Sequence, residues 1–173
     1  TVEDGRRGSR AESWPNPLKQ EPVPTLSNRL GWRDLRAAPA QRGRVLVVDD
    51  EVELRRGLQK LITRFGYTVR TAGSAEEADV CLTAERFDVC LLDIELPRMK
   101  GVEFLTWALK RDPEMAVIML TGLDAPELAV ECMRAGARTY LVKPVTADFL
   151  ELALQDAVAV RRVLVERNDL ASG

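Results

Sequence analysis

From Arg44 onward the chain alternates five short runs, most of them unbroken, apolar and rich in β-branched residues, with longer amphipathic stretches. A run with no polar alternation has no side to offer to water, so it must be buried on both faces, like a strand inside a parallel sheet. Parallel neighbours need crossover connections, and the amphipathic stretches are long enough to be the helices that make them. The runs are Val45–Val48, Thr68–Thr71, Val89–Leu92, Ala116–Leu120 and Tyr140–Val142. Five β/α units in this order predict an α/β fold: a doubly wound, five-stranded parallel sheet with helices on both faces and right-handed crossovers. Such a sheet binds its ligands outside the carboxyl ends of the strands, where the strand order reverses.

The punctuation agrees with the period. Leu54, Leu58, Leu61 and Ile62 share one face of a helix predicted from Val52 to Phe65, and Gly66 offers an easy left-handed stop. Ser74 and Glu77 have capping-box spacing and open a second helix, running to about Glu85, that turns Ala78, Cys81 and Leu82 inward. A loop with Pro97 and Gly101 precedes a third helix near Val102–Lys110. A fourth, near Pro126–Ala135, ends at Gly136, and a long last helix begins near Ala147.

With 173 residues and 46% apolar content, the chain has room for one ordinary core plus flanking segments, not a second full domain. Residues 1–43 hold five of the nine prolines and no sustained apolar period, so they read as a flexible linker or tail. Within it, Leu30, Trp32 and Leu35 suit a short docking helix over Asn28–Leu35. The segment is basic, which leaves residues 44–173 acidic. An acidic domain without a basic stripe lacks the charge that gives nucleic-acid binding most of its affinity, so direct nucleic-acid contact is not expected. No run of about 18 apolar residues could cross a membrane, and the start lacks the order of a secretory signal, which predicts a soluble cytoplasmic protein. Cys81, Cys90 and Cys132 lack metal-ligand spacing and read as reduced structural thiols. Histidine is absent. Chemistry must therefore run on carboxylates, hydroxyls and lysine.

Four of the predicted strand ends carry such groups. Asp49 and Asp50 follow the first strand, Asp93 the third, Thr121 the fourth and Lys143 the fifth. Each alone has an ordinary explanation as a turn, a cap or a surface amine, but together they converge on one rim. Three carboxylates about 5 Å apart repel by roughly 3 kcal/mol per pair at an effective dielectric near 20, and that arrangement asks for a cation. Oxygen-only ligands in a compact site favour Mg²⁺ or Mn²⁺ over zinc. The ion would offset the repulsion and orient a phosphoryl group opposite a carboxylate nucleophile. Lys143 would add positive charge and Thr121 a hydroxyl donor to the phosphoryl oxygens. Pro144 follows Lys143 and permits a cis bond there.

Val47-Val48-Asp49-Asp50-Glu51, Leu92-Asp93-Ile94-Glu95-Leu96-Pro97 with Gly101, Leu120-Thr121-Gly122 and Tyr140-Leu141-Val142-Lys143-Pro144 resemble the four signature segments of response-regulator receiver domains. The resemblance covers about residues 44–158 and implies a flavodoxin-like (βα)5 receiver fold. It also implies a phosphoacceptor signalling domain of a two-component system, an enzyme at most in its own phosphorylation and dephosphorylation. By the resemblance, Asp93 is the phosphoacceptor. Asp50, Asp93 and the backbone carbonyl of Glu95 bind Mg²⁺ directly, while Asp49 acts through water. Thr121 and Tyr140 match the switch pair, the hydroxyl moving to the phosphoryl group and the ring moving in behind it. The implied partners are a cognate histidine kinase or phosphotransfer protein, and a downstream effector protein or a missing output domain. Gly122 stands where alanine is frequent, which leaves the site more open, and Glu95 projects near the phosphoryl position.

The alternatives differ in what the first strand should be followed by. A haloacid-dehalogenase type phosphatase would carry Asp-x-Asp there, where this chain has adjacent Asp49 and Asp50. A flavin carrier would carry a hydroxyl- and glycine-rich phosphate loop. An inactive receiver serving only as a docking module is the main rival. The receiver is expected to end near Val158, so that residues 159–173 extend the last helix. Along it Leu150, Ala153, Ala157, Val160 and Leu164 recur at three- and four-residue steps, suggesting a stripe for a homodimer.

Overall fold

The computed structural model describes residues 42–122 and 126–172. The expectations for residues 1–41, including the docking helix at Asn28–Leu35, lie outside the described residues. The elements alternate as β1 Arg44–Val48, α1 Val52–Arg64, β2 Thr68–Ala72, α2 Ala75–Ala84, β3 Val89–Asp93, α3 Gly101–Arg111, β4 Ala116–Thr121, α4 Pro126–Arg134, β5 Thr139–Val142 and α5 Ala147–Ala171. Every strand pair is parallel, and the order across the sheet is β2-β1-β3-β4-β5. This is the doubly wound, flavodoxin-like sheet read from the sequence, and each strand agrees with its expected limits to within one residue at either end.

The pleat of each central strand feeds two cores. Val45 and Val47 of β1 face α1 and α5, packing with Leu58, Ile62, Leu150 and Leu154. Leu46 and Val48 face the other layer, with Ala78 of α2, Phe104 and Leu105 of α3 and Cys132 of α4. β3 and β4 are buried along their whole length, whereas the edge strands β2 and β5 alternate with exposed or half-buried positions. That contrast explains why the central runs are the more purely apolar ones.

The local signals act largely as expected. α1 stops where Gly66 takes φ +92°, a conformation that glycine adopts without steric cost. Ser74 caps α2 by accepting from Glu77 N at 3.2 Å, but Glu77 reaches back to the Gly73 amide at 2.6 Å, one residue short of the reciprocal capping box. No described helix is long and apolar enough to cross a membrane.

α5 corrects the reading of its apolar stripe. Leu150 and Ala157 are buried in this chain's own core, Ala153 packs against it, and Val160 and Leu164 are half-buried in a cleft shared with Leu109 and Met133. All five positions of the stripe are therefore at least partly packed within the chain. Beyond Val158 the helix stays attached through Arg161, only 7% exposed, which pairs with Asp88 at 3.1 Å and Asp112 at 3.3 Å. Asn168 also donates to Glu114 at 2.7 Å. The loops before β3 and β4 supply Asp88, Asp112 and Glu114 as docking points below the sheet.

Candidate functional site

Strand order reverses beside β1: the chain leaves β1 for β2 on one flank and returns to β3 on the other. The carboxyl ends of β1 and β3 thus bound the crevice where a doubly wound sheet holds its ligand. The register sets Val48 beside Leu92, so Asp49 and Asp93 emerge as neighbours. Main-chain bonds carry the ladders past the strand ends: Asp49 N donates to Ala72 O at 3.1 Å, Ile94 N to Leu120 O at 3.0 Å, and Lys143 N to Thr121 O at 2.8 Å. The side chains of the rim are therefore aimed by sheet backbone. The Lys143–Pro144 bond is cis.

Asp49, Asp50 and Asp93 each present a carboxylate oxygen within 4.8 Å of the others. Asp49 is fully buried and Asp93 nearly so, while Asp50 is open to solvent. Backbone amides take one oxygen of each buried acid: Glu51 N donates to Asp49 Oδ1 at 2.8 Å and Glu95 N to Asp93 Oδ1 at 3.0 Å. Lys143 Nζ lies 2.9 Å from both Asp49 Oδ2 and Asp93 Oδ2. Only the approach to Asp93 has hydrogen-bond geometry. Asp49 Oδ2, sealed from solvent, is in ionic contact with the ammonium yet has no hydrogen-bond donor.

Burial pushes the Asp93 carboxyl above its ordinary value; Lys143 and the Glu95 amide oppose that shift, and the nearby Asp49 charge adds to it. Burial alone would lower the Lys143 ammonium, but its contacts with Asp93 and Asp49 outweigh this and raise it. The centre is thus a charged lysine set between two buried carboxylates, with a third carboxylate at the mouth. Two buried carboxylates beside an exposed one, joined by no cysteine among the described residues in a chain without histidine, form an oxygen donor set suited to a hard divalent cation such as Mg²⁺.

The loop after Asp93 closes tightly on itself. Gly101 N donates to Ile94 O at 2.8 Å, and Glu95 bridges to Lys100. A Cβ at Gly101 would lie 2.7 Å from Ile94 Cα and 2.8 Å from Ile94 O, so the glycine of the motif is demanded by close backbone approach. Thr121 ends β4 at the same rim, 3% exposed, with its hydroxyl donating to Gly122 O at 3.1 Å and not to the acidic cluster. Tyr140 lies on β5 two residues before Val142, the register partner of Thr121, and is 45% exposed. Glu95 is exposed. Arg55, outside the expected set, donates through Nη1 to the Asp49 carbonyl. Its trace in the sequence is a cation in the first turn of a helix, where the helix dipole disfavours one.

Residues 45–155 match the response regulator receiver domain. The chain is 37% identical over 129 residues to the alginate biosynthesis transcriptional regulatory protein AlgB of Pseudomonas syringae pv. tomato, covering 75% of this chain and 29% of AlgB. It is 32% identical over 134 residues to the C4-dicarboxylate transport transcriptional regulatory protein DctD of Rhizobium meliloti, covering 78% and 28%. The chain thus spans under a third of the length of these regulators. Among solved structures it is similar to a response regulator receiver domain protein from Clostridium thermocellum, with a TM-score of 0.67, 35% identity and coverage of 70% of this chain and 98% of that one. NtrX from Brucella abortus gives a TM-score of 0.72 at 32% identity, covering 75% of this chain and 30% of NtrX. Fold, rim and sequence agree: the chain belongs to the response regulator receiver domain family, the receivers of two-component systems.

Proposed function

We propose that this chain accepts a phosphoryl group on Asp93 in a Mg²⁺-dependent reaction and thereby changes a protein-binding surface. The observation that carries the reading is the acidic cluster itself, three carboxylates within 4.8 Å with Lys143 set between the two buried ones.

A carboxylate oxygen of Asp93 attacks the phosphorus of a phosphohistidine on a partner kinase or phosphotransfer protein. The new P–O bond forms as the P–N bond breaks, and the imidazole nitrogen leaves with the electron pair. Asp93 must be ionised to attack, and the Lys143 ammonium favours that form against the effect of burial. Lys143 then follows the charge from Asp93 Oδ2 to a phosphoryl oxygen. Asp50, Asp93 and the Glu95 carbonyl would hold Mg²⁺, with Asp49 acting through water. When bound, the ion supplies neutralising charge to the carboxylates and the incoming phosphoryl oxygens. Thr121 turns its hydroxyl from the Gly122 carbonyl to the phosphoryl group, and Tyr140 moves inward behind it. The new arrangement of β4, β5 and their following segments is what an effector protein, or an output domain of a longer cytoplasmic regulator, distinguishes.

Incubation with acetyl phosphate tests the reading through its metal dependence. Phosphorylation should require Mg²⁺ and stop on chelation. Asp50→Asn should weaken Mg²⁺ binding while making the metal-free protein more stable, because one of three like charges is gone. Phosphorylation at full rate in the presence of chelator would refute the metal's role, and an unreactive parent would leave a docking module in its place.

A further inference from the structure

We infer that Arg55 is a positioning residue for the acidic site, its guanidinium fixing the turn on which both Asp49 and Asp50 stand. The inference rests on the reading of that site as one for Mg²⁺.

The turn after β1 is held at three of its polar atoms. Asp49 N is tied to the end of β2 through Ala72 O, Asp49 Oδ1 to the Glu51 amide, and Asp49 O to Arg55 Nη1 of α1. The last of these matters for the neighbour. The Asp49 carbonyl belongs to the same rigid peptide plane as the Asp50 nitrogen, so orienting one orients the other. The direction in which the Asp50 side chain leaves the main chain is thereby set from α1. Asp50, being exposed, has no burial to fix it.

Two further features single out Arg55. It sits in the first turn of α1, where unpaired helix N–H groups disfavour a cation. Its placement is against local preference and is accounted for by the carbonyl it binds. Second, Gly73 lies against it. A Cβ at Gly73 would lie 3.1 Å from Arg55 Nη1 and 3.4 Å from Cζ and Nη2. The backbone there is outside the left-handed region, so conformation does not call for glycine, and a side chain at 73 would press on the guanidinium, which would have to yield by a few tenths of an ångström. The choice of a carbonyl partner also has a chemical consequence. A guanidinium laid on Asp49 or Asp50 carboxylate oxygens would occupy the atoms a cation needs, whereas one laid on the main chain orients the ligands and leaves their oxygens free.

The test is a MgCl2 titration of the full chain, parent against Arg55→Ala, Arg55→Lys and Gly73→Ala, with amide exchange at Glu51 followed in metal-free protein. Outer groups that orient metal ligands typically carry about 10–100-fold in affinity, so Arg55→Ala should weaken Mg²⁺ binding about 10-fold or more. Arg55→Lys keeps one donor and should recover part of that loss. Gly73→Ala, which crowds the guanidinium but leaves every charge in place, should weaken binding by a smaller factor. Glu51 exchange should quicken in Arg55→Ala while the global melt stays cooperative. Parental Mg²⁺ affinity in Arg55→Ala overturns the inference. If Arg55→Ala does not fold, parental affinity in Gly73→Ala overturns it. A parent that binds no Mg²⁺ refutes the metal reading instead, and Glu51 exchange then decides the positioning role: quickened exchange upholds Arg55, and unchanged exchange overturns it.

Discussion

The loop between Asp93 and Gly101 carries two separate steric demands, one at Gly101 and one at Arg98. At Gly101 the chain returns so close to Ile94 that no Cβ fits. Arg98 carries its Cβ in the left-handed region at φ +68°, with only a distant, exposed pair to Glu76 at 3.9 Å in return. Such an exposed pair contributes little, while the left-handed conformation costs an ordinary residue about 1–2 kcal/mol and asparagine less. Arg98→Asn should therefore raise stability by up to about 1 kcal/mol in urea denaturation. Gly101→Ala should lower it by about 1–3 kcal/mol, as overpacking does, and move the backbone at Glu95. A unit change in the other direction at either position would contradict the loop geometry. Asp49, Asp50, Asp93 and Lys143 were legible as a group because strand ends can be read from apolar runs, and polar residues at those ends must share a rim. Arg55 was not, since its contact is to a main-chain oxygen brought near only by the turn of β1 into α1.

At the scale of elements, α5 separates what periodicity reveals from what it hides. The central strands were legible because burial on both faces leaves an unbroken apolar run. The helix was harder: the three- and four-residue stripe was visible, but its partner was this chain's own α3–β4 and α4–β5 region, and a charge at 161 reads as solvent-facing. In the fold, Arg161 is buried between Asp88 and Asp112, and Asp88 is also held by Arg44 N at 2.7 Å through its other oxygen. Removing one partner of a fully buried ion pair costs about 3–5 kcal/mol. The Asp88 side chain is 33% exposed, so solvent can recover part of that, and Arg161→Ala should cost about 2 kcal/mol. Amide exchange should also quicken along residues 162–171, past the clamp. An unchanged denaturation midpoint and unchanged exchange would mean that the second half of α5 is not held by this pair.

For the molecule as a whole, sequence and structure place chemistry and clamp at opposite poles of one sheet. The acidic rim lies at the carboxyl ends of β1, β3, β4 and β5, and the Arg161 pairs gather near the amino ends of β1, β3 and β4. Fold class and rim were readable because both follow from strand order and chain direction. Which surface a partner takes was not, because exposed apolar residues such as Phe149, Leu152 and Tyr140 carry no period that distinguishes docking from chance exposure. Every step proposed for the rim depends on Asp93 being the phosphoacceptor. Its most direct test is the intact mass of the chain after incubation with acetyl phosphate and Mg²⁺, parent beside Asp93→Asn. The parent should gain one phosphoryl mass and a folded Asp93→Asn none, and an undiminished gain in that variant would put the phosphoryl group on another residue.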